Sequence, residues 1–156
     1  MPKKPITAES VPATEGKTIY PDALSSIVEG RTKRKLGNHF NLTNFGVNLT
    51  TLSPGSASAL MHFHSKQDEF VYVVEGTLTV RIEQEEYEMR PGDCIGFESG
   101  IAEGHQIVNR SNSRASYLEI GDRCVGDQAE FPEDDLQARQ GEDGCWLLLH
   151  KNGDPY

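Results

Sequence analysis

Long apolar runs are absent from this sequence. The longest, Phe70–Val74 and Cys145–Leu149, hold five residues each, whereas a membrane-spanning helix needs about 20. Positive charge is also scarce. Lys and Arg number 15 against 24 Asp and Glu, a net charge of −9, which argues against a protein that grips a nucleic-acid backbone by charge. Cysteine is limited to Cys94, Cys124 and Cys145, odd in number and without Cys-x-x-Cys spacing. Reduced thiols in the cytoplasm are the simplest expectation. The N-terminus has no apolar stretch of the secretory-signal kind. No phosphate loop, nucleophile elbow or redox cysteine pair is present, so any catalysis falls to other groups.

What is there is turn-rich. With 15 Gly and 8 Pro in 156 residues, of which 36% are hydrophobic, the chain reads as one small domain with many tight turns and solvated ends. Residues 1–35 carry Pro2, Pro5, Pro12 and Pro21 with little periodicity and are expected to form an extended arm. The arm is basic, with seven Lys and Arg against four acidic residues. Its cluster Arg31, Lys33, Arg34 and Lys35 lacks interleaved aromatics and reads as a solvated surface. Residues 36–121 differ. Phe45, Val47 and Leu49 alternate with polar neighbours, as do Val71 with Val73 and Leu78, Val80 with Ile82. Such period-2 runs, set off by turns such as Glu75-Gly76 and Pro91-Gly92-Asp93, predict an all-β sandwich or barrel. Residues 122–156 read as an irregular acidic extension with one short strand near 145–149. Trp146 and its three neighbouring leucines are too apolar for a free tail.

The chemistry concentrates in the histidines. His62 and His64 stand two apart on a predicted strand, so both imidazoles point to one face. Ser65 to Asp68 form a polar turn, and a hairpin of that length returns the Glu69 carboxylate to the imidazoles. Asp68 competes for that place, but its parity points it away. His105 opens a later strand and can add a third imidazole. Three imidazoles and a carboxylate suit a borderline divalent metal, one of Fe, Mn, Ni, Cu or Zn, and not calcium, which wants oxygen ligands. His39 and His150 lie in loop and tail sequence and read as surface residues. Val71, Val73, Ile107 and Asn109 share strand parity with Glu69 or His105 and read mainly as core. Glu98 and Glu103 read as solvated loop carboxylates that are also candidates for a gate or a base.

The pattern Gly55, His62, His64, Glu69, Gly76, followed by Gly92, Gly100, His105 and Asn109, resembles the two motifs of the cupin superfamily. Six residues instead of five separate Gly55 from His62. Glu98 replaces the proline of the second motif, and four residues instead of two separate Gly100 from His105. The stretch Gly104–Asn109 with the ending His150–Tyr156 further resembles a subgroup of small single-domain bacterial cupins that is largely uncharacterised. The resemblance implies a jelly-roll β-barrel (double-stranded β-helix) over residues 36–121, with one metal held by His62, His64, Glu69 and His105. It also implies a homodimer.

Four protein donors leave positions open on a metal, as in a catalytic site. The expected function is a metal-dependent enzyme, of dioxygenase or isomerase type, acting on a small organic or sugar-like molecule. The alternative is a non-catalytic metal-containing module that binds or senses such a molecule. Neither nucleic acid nor membrane is an expected partner.

Overall fold

Alternation of side chains turns these short runs into strands. The computed structural model describes residues 4–156; Pro2 of the predicted arm lies outside them. In chain order the strands are β1 (Ala13–Glu15), β2 (Arg31–Arg34), β3 (Phe45–Leu52), β4 (Phe63–His64), β5 (Glu69–Glu75), β6 (Leu78–Ile82), β7 (Glu85–Met89), β8 (Cys94–Phe97), β9 (His105–Val108), β10 (Ala115–Asp122), β11 (Gln128–Phe131), β12 (Leu136–Gln140) and β13 (Trp146–Leu149). Among the described residues no helix is long and apolar enough to cross a membrane.

One layer is a six-stranded sheet in the order β1-β2-β3-β10-β5-β8. Facing it are the sheets β13-β12-β11-β4 and β7-β6-β9. A single antiparallel bridge between His62 and His105 stitches these two together, with N–O distances of 3.1 and 2.9 Å. The result is a jelly-roll barrel, all of whose strand pairings are antiparallel. Its main core lies between the layers. Leu52, Val71, Val73 and Tyr117 meet Leu78, Val80, Met89 and Ile107 there. A second cluster, around Leu60, Phe131 and Leu136, is covered by Tyr20, Leu24 and Ile27 from the N-terminal segment.

Three expectations change. The arm does not merely lie on the barrel, because β1 and β2 extend the large sheet, with Lys33 opposite Thr50 of β3. The irregular acidic extension holds three strands, β11, β12 and β13. Its inward residues Ala129, Phe131, Leu136 and Ala138 keep period 2 between acidic turns, and burying them outweighs the charge around them. The hairpin between the histidines and Glu69 does not form. β4 pairs with β11, and β5 pairs with β8 and β10. The Glu75-Gly76 turn carries the chain from one layer to the other.

Gly76 is fixed there by geometry. Its φ is +77°, and a Cβ would fall 2.7 Å from Cβ and 2.8 Å from Cα of Ala115. On β5 the alternation is complete. Val71 and Val73 are buried, whereas Phe70, Tyr72 and Val74 are 39, 40 and 46% exposed on the outer face.

Candidate metal centre

Inward parity on β5 sends Glu69 to the same side as Val71 and Val73, at the open end of the core. The bridge between the two smaller sheets holds His62 and His105 opposite one another, and β4 places His64 beside them. All four residues expected from the sequence therefore come together. One carboxylate oxygen, Glu69 Oε2, faces three imidazole nitrogens: Nε2 of His105 at 2.8 Å, of His62 at 3.5 Å and of His64 at 3.8 Å. His62, Glu69 and His105 form the tighter group, each offering one donor atom within 4.8 Å of the others.

Each ring is held from behind. His62 Nδ1 donates to the carbonyl of Leu60 at 2.8 Å, which turns Nε2 toward the cluster. His64 Nδ1 meets Asp127 Oδ2 at 2.5 Å. The His105 ring stacks on Phe97, with centroids 3.6 Å apart and planes at 4°; its buried Nδ1 has no hydrogen-bond partner among the described residues.

Asp127 was invisible in the sequence. It lies in an acidic stretch with nothing local to mark it, yet it is fully buried. It also accepts from the Ser65 hydroxyl at 3.1 Å and the Lys66 amide at 2.8 Å. Asp68 stands outside the cluster, exposed and bonded to the Ser99 amide at 2.8 Å. His39 is exposed, and His150 pairs with Asp135 at 2.8 Å. Asn109 is structural. Its amide donates to the carbonyls of Leu52 and Ser113 at 2.8 and 2.7 Å.

The electrostatics follow from burial opposed by pairing. Burial pushes the Glu69 carboxyl up, but hydrogen bonds from His105 and His62 outweigh it and hold the group well below the usual carboxylate range. Burial works to lower His64, and the hydrogen bond to Asp127 raises it on balance. Burial dominates at His105, which is lowered and favours neutral imidazole. A deprotonated carboxylate among neutral or anchored imidazoles is the donor chemistry of a divalent transition-metal site, so these residues fit one.

Three cavities border the cluster. The smallest, about 180 Å3, runs inward past Val71, Ile107 and Tyr117. A second, about 260 Å3, is walled by Phe97, Ile101, Glu98 and Glu103; both loop glutamates thus face the site. The largest, about 590 Å3, opens between the N-terminal strands and β11–β13, past Tyr20, Arg31, Phe131 and Trp146. That volume suits a small organic molecule. Tyr20 reaches into it from the N-terminal segment. Its hydroxyl accepts from the Leu60 amide at 3.3 Å, and burial pushes the phenol up to about 12, so it stays protonated and able to donate.

Residues 48–121 match the protein family described as Cupin domain. A solved structure of a cupin-superfamily protein named as a sugar phosphate isomerase, from Silicibacter pomeroyi DSS-3, is 37% identical. The match covers 98% of this chain and 96% of that one, with a TM-score of 0.92. A structure from Acidithiobacillus ferrooxidans, given the same enzyme name provisionally, is 29% identical over 81% of this chain and 80% of its own, with a TM-score of 0.73. Among curated proteins, the tetracenomycin polyketide synthase protein TcmJ of Streptomyces glaucescens is 34% identical over 61 residues; the match spans 39% of each chain.

Proposed function

The chain belongs to the cupin superfamily, and from that premise we propose that it is a metal-dependent isomerase acting on a small sugar-like molecule. One observation carries the proposal. Three imidazole nitrogens converge on a single deprotonated carboxylate at the junction of three cavities. His62, His64, Glu69 and His105 would hold one divalent ion, one of Fe, Mn, Ni, Cu or Zn. When bound, such an ion supplies Lewis-acid polarisation of a substrate oxygen. The chain's own residues do the rest. Tyr20 offers a phenolic proton to a substrate oxygen, while Phe97, Phe131 and Trp146 keep water off the reacting end. The similarity to a protein named as a sugar phosphate isomerase favours isomerisation over dioxygenation.

The test combines elemental analysis of natively purified protein with proton NMR in D2O on a panel of aldoses, ketoses and their phosphates. Metal at about one per chain and metal-dependent exchange of a substrate carbon-bound proton are expected. Metal-free protein, with metal affinity unchanged in His62→Ala and His64→Ala, would sink the metal assignment. Tight ligand binding without turnover would instead favour the sensing module.

Asp127 acts through His64. Asp127→Asn removes the charge that orients the ring, and a change behind a metal-binding histidine typically costs about 10- to 100-fold in metal affinity. Chelator competition checks this, with circular dichroism confirming the fold. An unchanged affinity would leave Asp127 a purely structural group.

A homodimer is part of the same proposal, with the reducing cytoplasm as its compartment. The outer face of β5 carries exposed Phe70, Tyr72 and Val74 beside Leu118 and Ile120 of β10. A contiguous uncharged stripe of this kind marks an interaction surface, and the absence of charge on it lets a second copy of an acidic chain approach. Light scattering is expected to give twice the chain mass, and Tyr72→Glu/Val74→Glu to give a monomer. A wild-type monomer contradicts it.

A further inference from the structure

Most of the basic cluster of the N-terminal segment borders a cavity. Arg31, Lys33 and Lys35 alternate along and just beyond β2, and with Lys17 they line the largest cavity. Arg31 and Lys33 share the inward parity of their partners Leu52 and Thr50. Four cations thus border one cavity of a chain whose net charge is −9. Among the described residues the one carboxylate in that lining is Glu119, and it is already occupied. It pairs with Lys33 at 2.8 Å and accepts from Asn48 at 3.1 Å. The other cations have no such neutralisation. The Arg31 guanidinium is held by two neutral backbone carbonyls, that of Ser58 and that of Lys17, the latter at 2.8 Å. No ion pair is formed by Lys17 or Lys35 among the described residues.

We propose that Arg31, Lys17 and Lys35 form a subsite for the phosphate of a phosphate-monoester substrate. This rests on the reading of the adjacent cluster as an enzyme centre for a small molecule. Concentrating like charge beside a cavity costs self-repulsion unless a counter-ion joins it. A dianion answers several cations better than a monoanion, and a guanidinium pre-set by two carbonyls offers its remaining N–H groups in a fixed fork. The subsite is contiguous with the chemistry. Arg31, Tyr20 and His62 line both the large cavity and the inner one that holds Glu69 and His105. A phosphate seated on Arg31 therefore directs the sugar end of the molecule inward to the cluster, and the Thr14 and Thr18 side chains line the same wall.

Isothermal calorimetry with inorganic phosphate tests this on the full chain. Saturable binding is expected, with acetate binding much more weakly. Lys17→Glu/Lys35→Glu changes two exposed side chains and is expected to weaken phosphate binding about tenfold or more. Arg90→Glu/Arg110→Glu makes the same change in net charge away from the cavity and is expected to stay within about twofold. Arg31→Lys keeps the charge but loses the fork, and should weaken binding comparably; if that variant does not fold, the lysine pair decides. No saturable phosphate binding, equal loss in both double variants, or acetate binding as tightly as phosphate would each overturn the proposal. Metal content of the same samples separates the two readings. Phosphate binding without metal leaves the subsite and removes the enzyme centre, and metal without phosphate does the reverse.

Discussion

Glu69→Ala is expected to lower metal content from about one ion per chain to a few per cent. Removing a partner behind a metal-bound histidine already costs about 10- to 100-fold in affinity, and Glu69 is the group on which all three imidazoles converge. A loss of about a thousandfold is therefore expected, read by chelator competition. Glu69→Gln separates charge from shape. It keeps the side-chain volume, removes the negative charge and should fall close to the alanine variant. Retention of metal by both variants would show that Glu69 is not among the groups that hold it.

The same carboxylate sets a pH dependence in metal-free protein. Its pKa is depressed on folding from an ordinary value of 4.5, because the hydrogen bonds from His105 and His62 outweigh the cost of burial. A depressed carboxyl contributes stability that is present above its unfolded value and lost as pH falls through its folded one. The stability difference between wild type and Glu69→Gln should hence close as pH drops below the ordinary carboxylate range. Urea titrations at a series of pH values read this directly. A difference that grows with acidity would contradict the assignment.

Gly76→Val is expected to destabilise the fold by roughly 3 kcal/mol or more, combining backbone strain with overpacking. The backbone there has φ of +77°, and the new Cβ would meet Cβ and Cα of Ala115 at 2.7 and 2.8 Å and the Arg114 carbonyl at 2.8 Å. Most of what it meets is backbone, so no flexible side chain can swing away. Gly92→Val is the control. Its φ is +98°, but nothing lies within 4 Å of the new atom, so strain acts without the clash. Equal shifts in denaturation midpoint for the two variants would show that the approach to Ala115 is not what demands glycine.

The centre of the barrel was legible because its signals are short-range. Val71 and Val73 alternate within one strand, and His62, His64, Glu69 and Gly76 keep a fixed spacing within 15 residues. What escaped depends on pairings distant in sequence. The hairpin expected between His64 and Glu69 fails because β4 finds its partner in β11, more than 60 residues away. Asp127 becomes an anchor for His64 only through that same pairing. The acidic surroundings of Ala129, Phe131, Leu136 and Ala138 masked an alternation that was present throughout. Arg31 and Lys33 carried period 2 as well, but charge made it look like a surface, and only the register of β2 against β3 turns them inward.

The two ends of the chain build most of the wall of the large cavity. Its residues on β1, β2, β11, β12 and β13 lie outside 48–121, whereas His62, His64, Glu69 and His105 lie inside it. The four candidate metal donors and most of the cavity wall are therefore carried by separate stretches of the chain. Recombining the termini between homologues would exchange most of that wall, and the metal affinity would survive the exchange only where the incoming segment again supplies a carboxylate behind His64, as Asp127 does here.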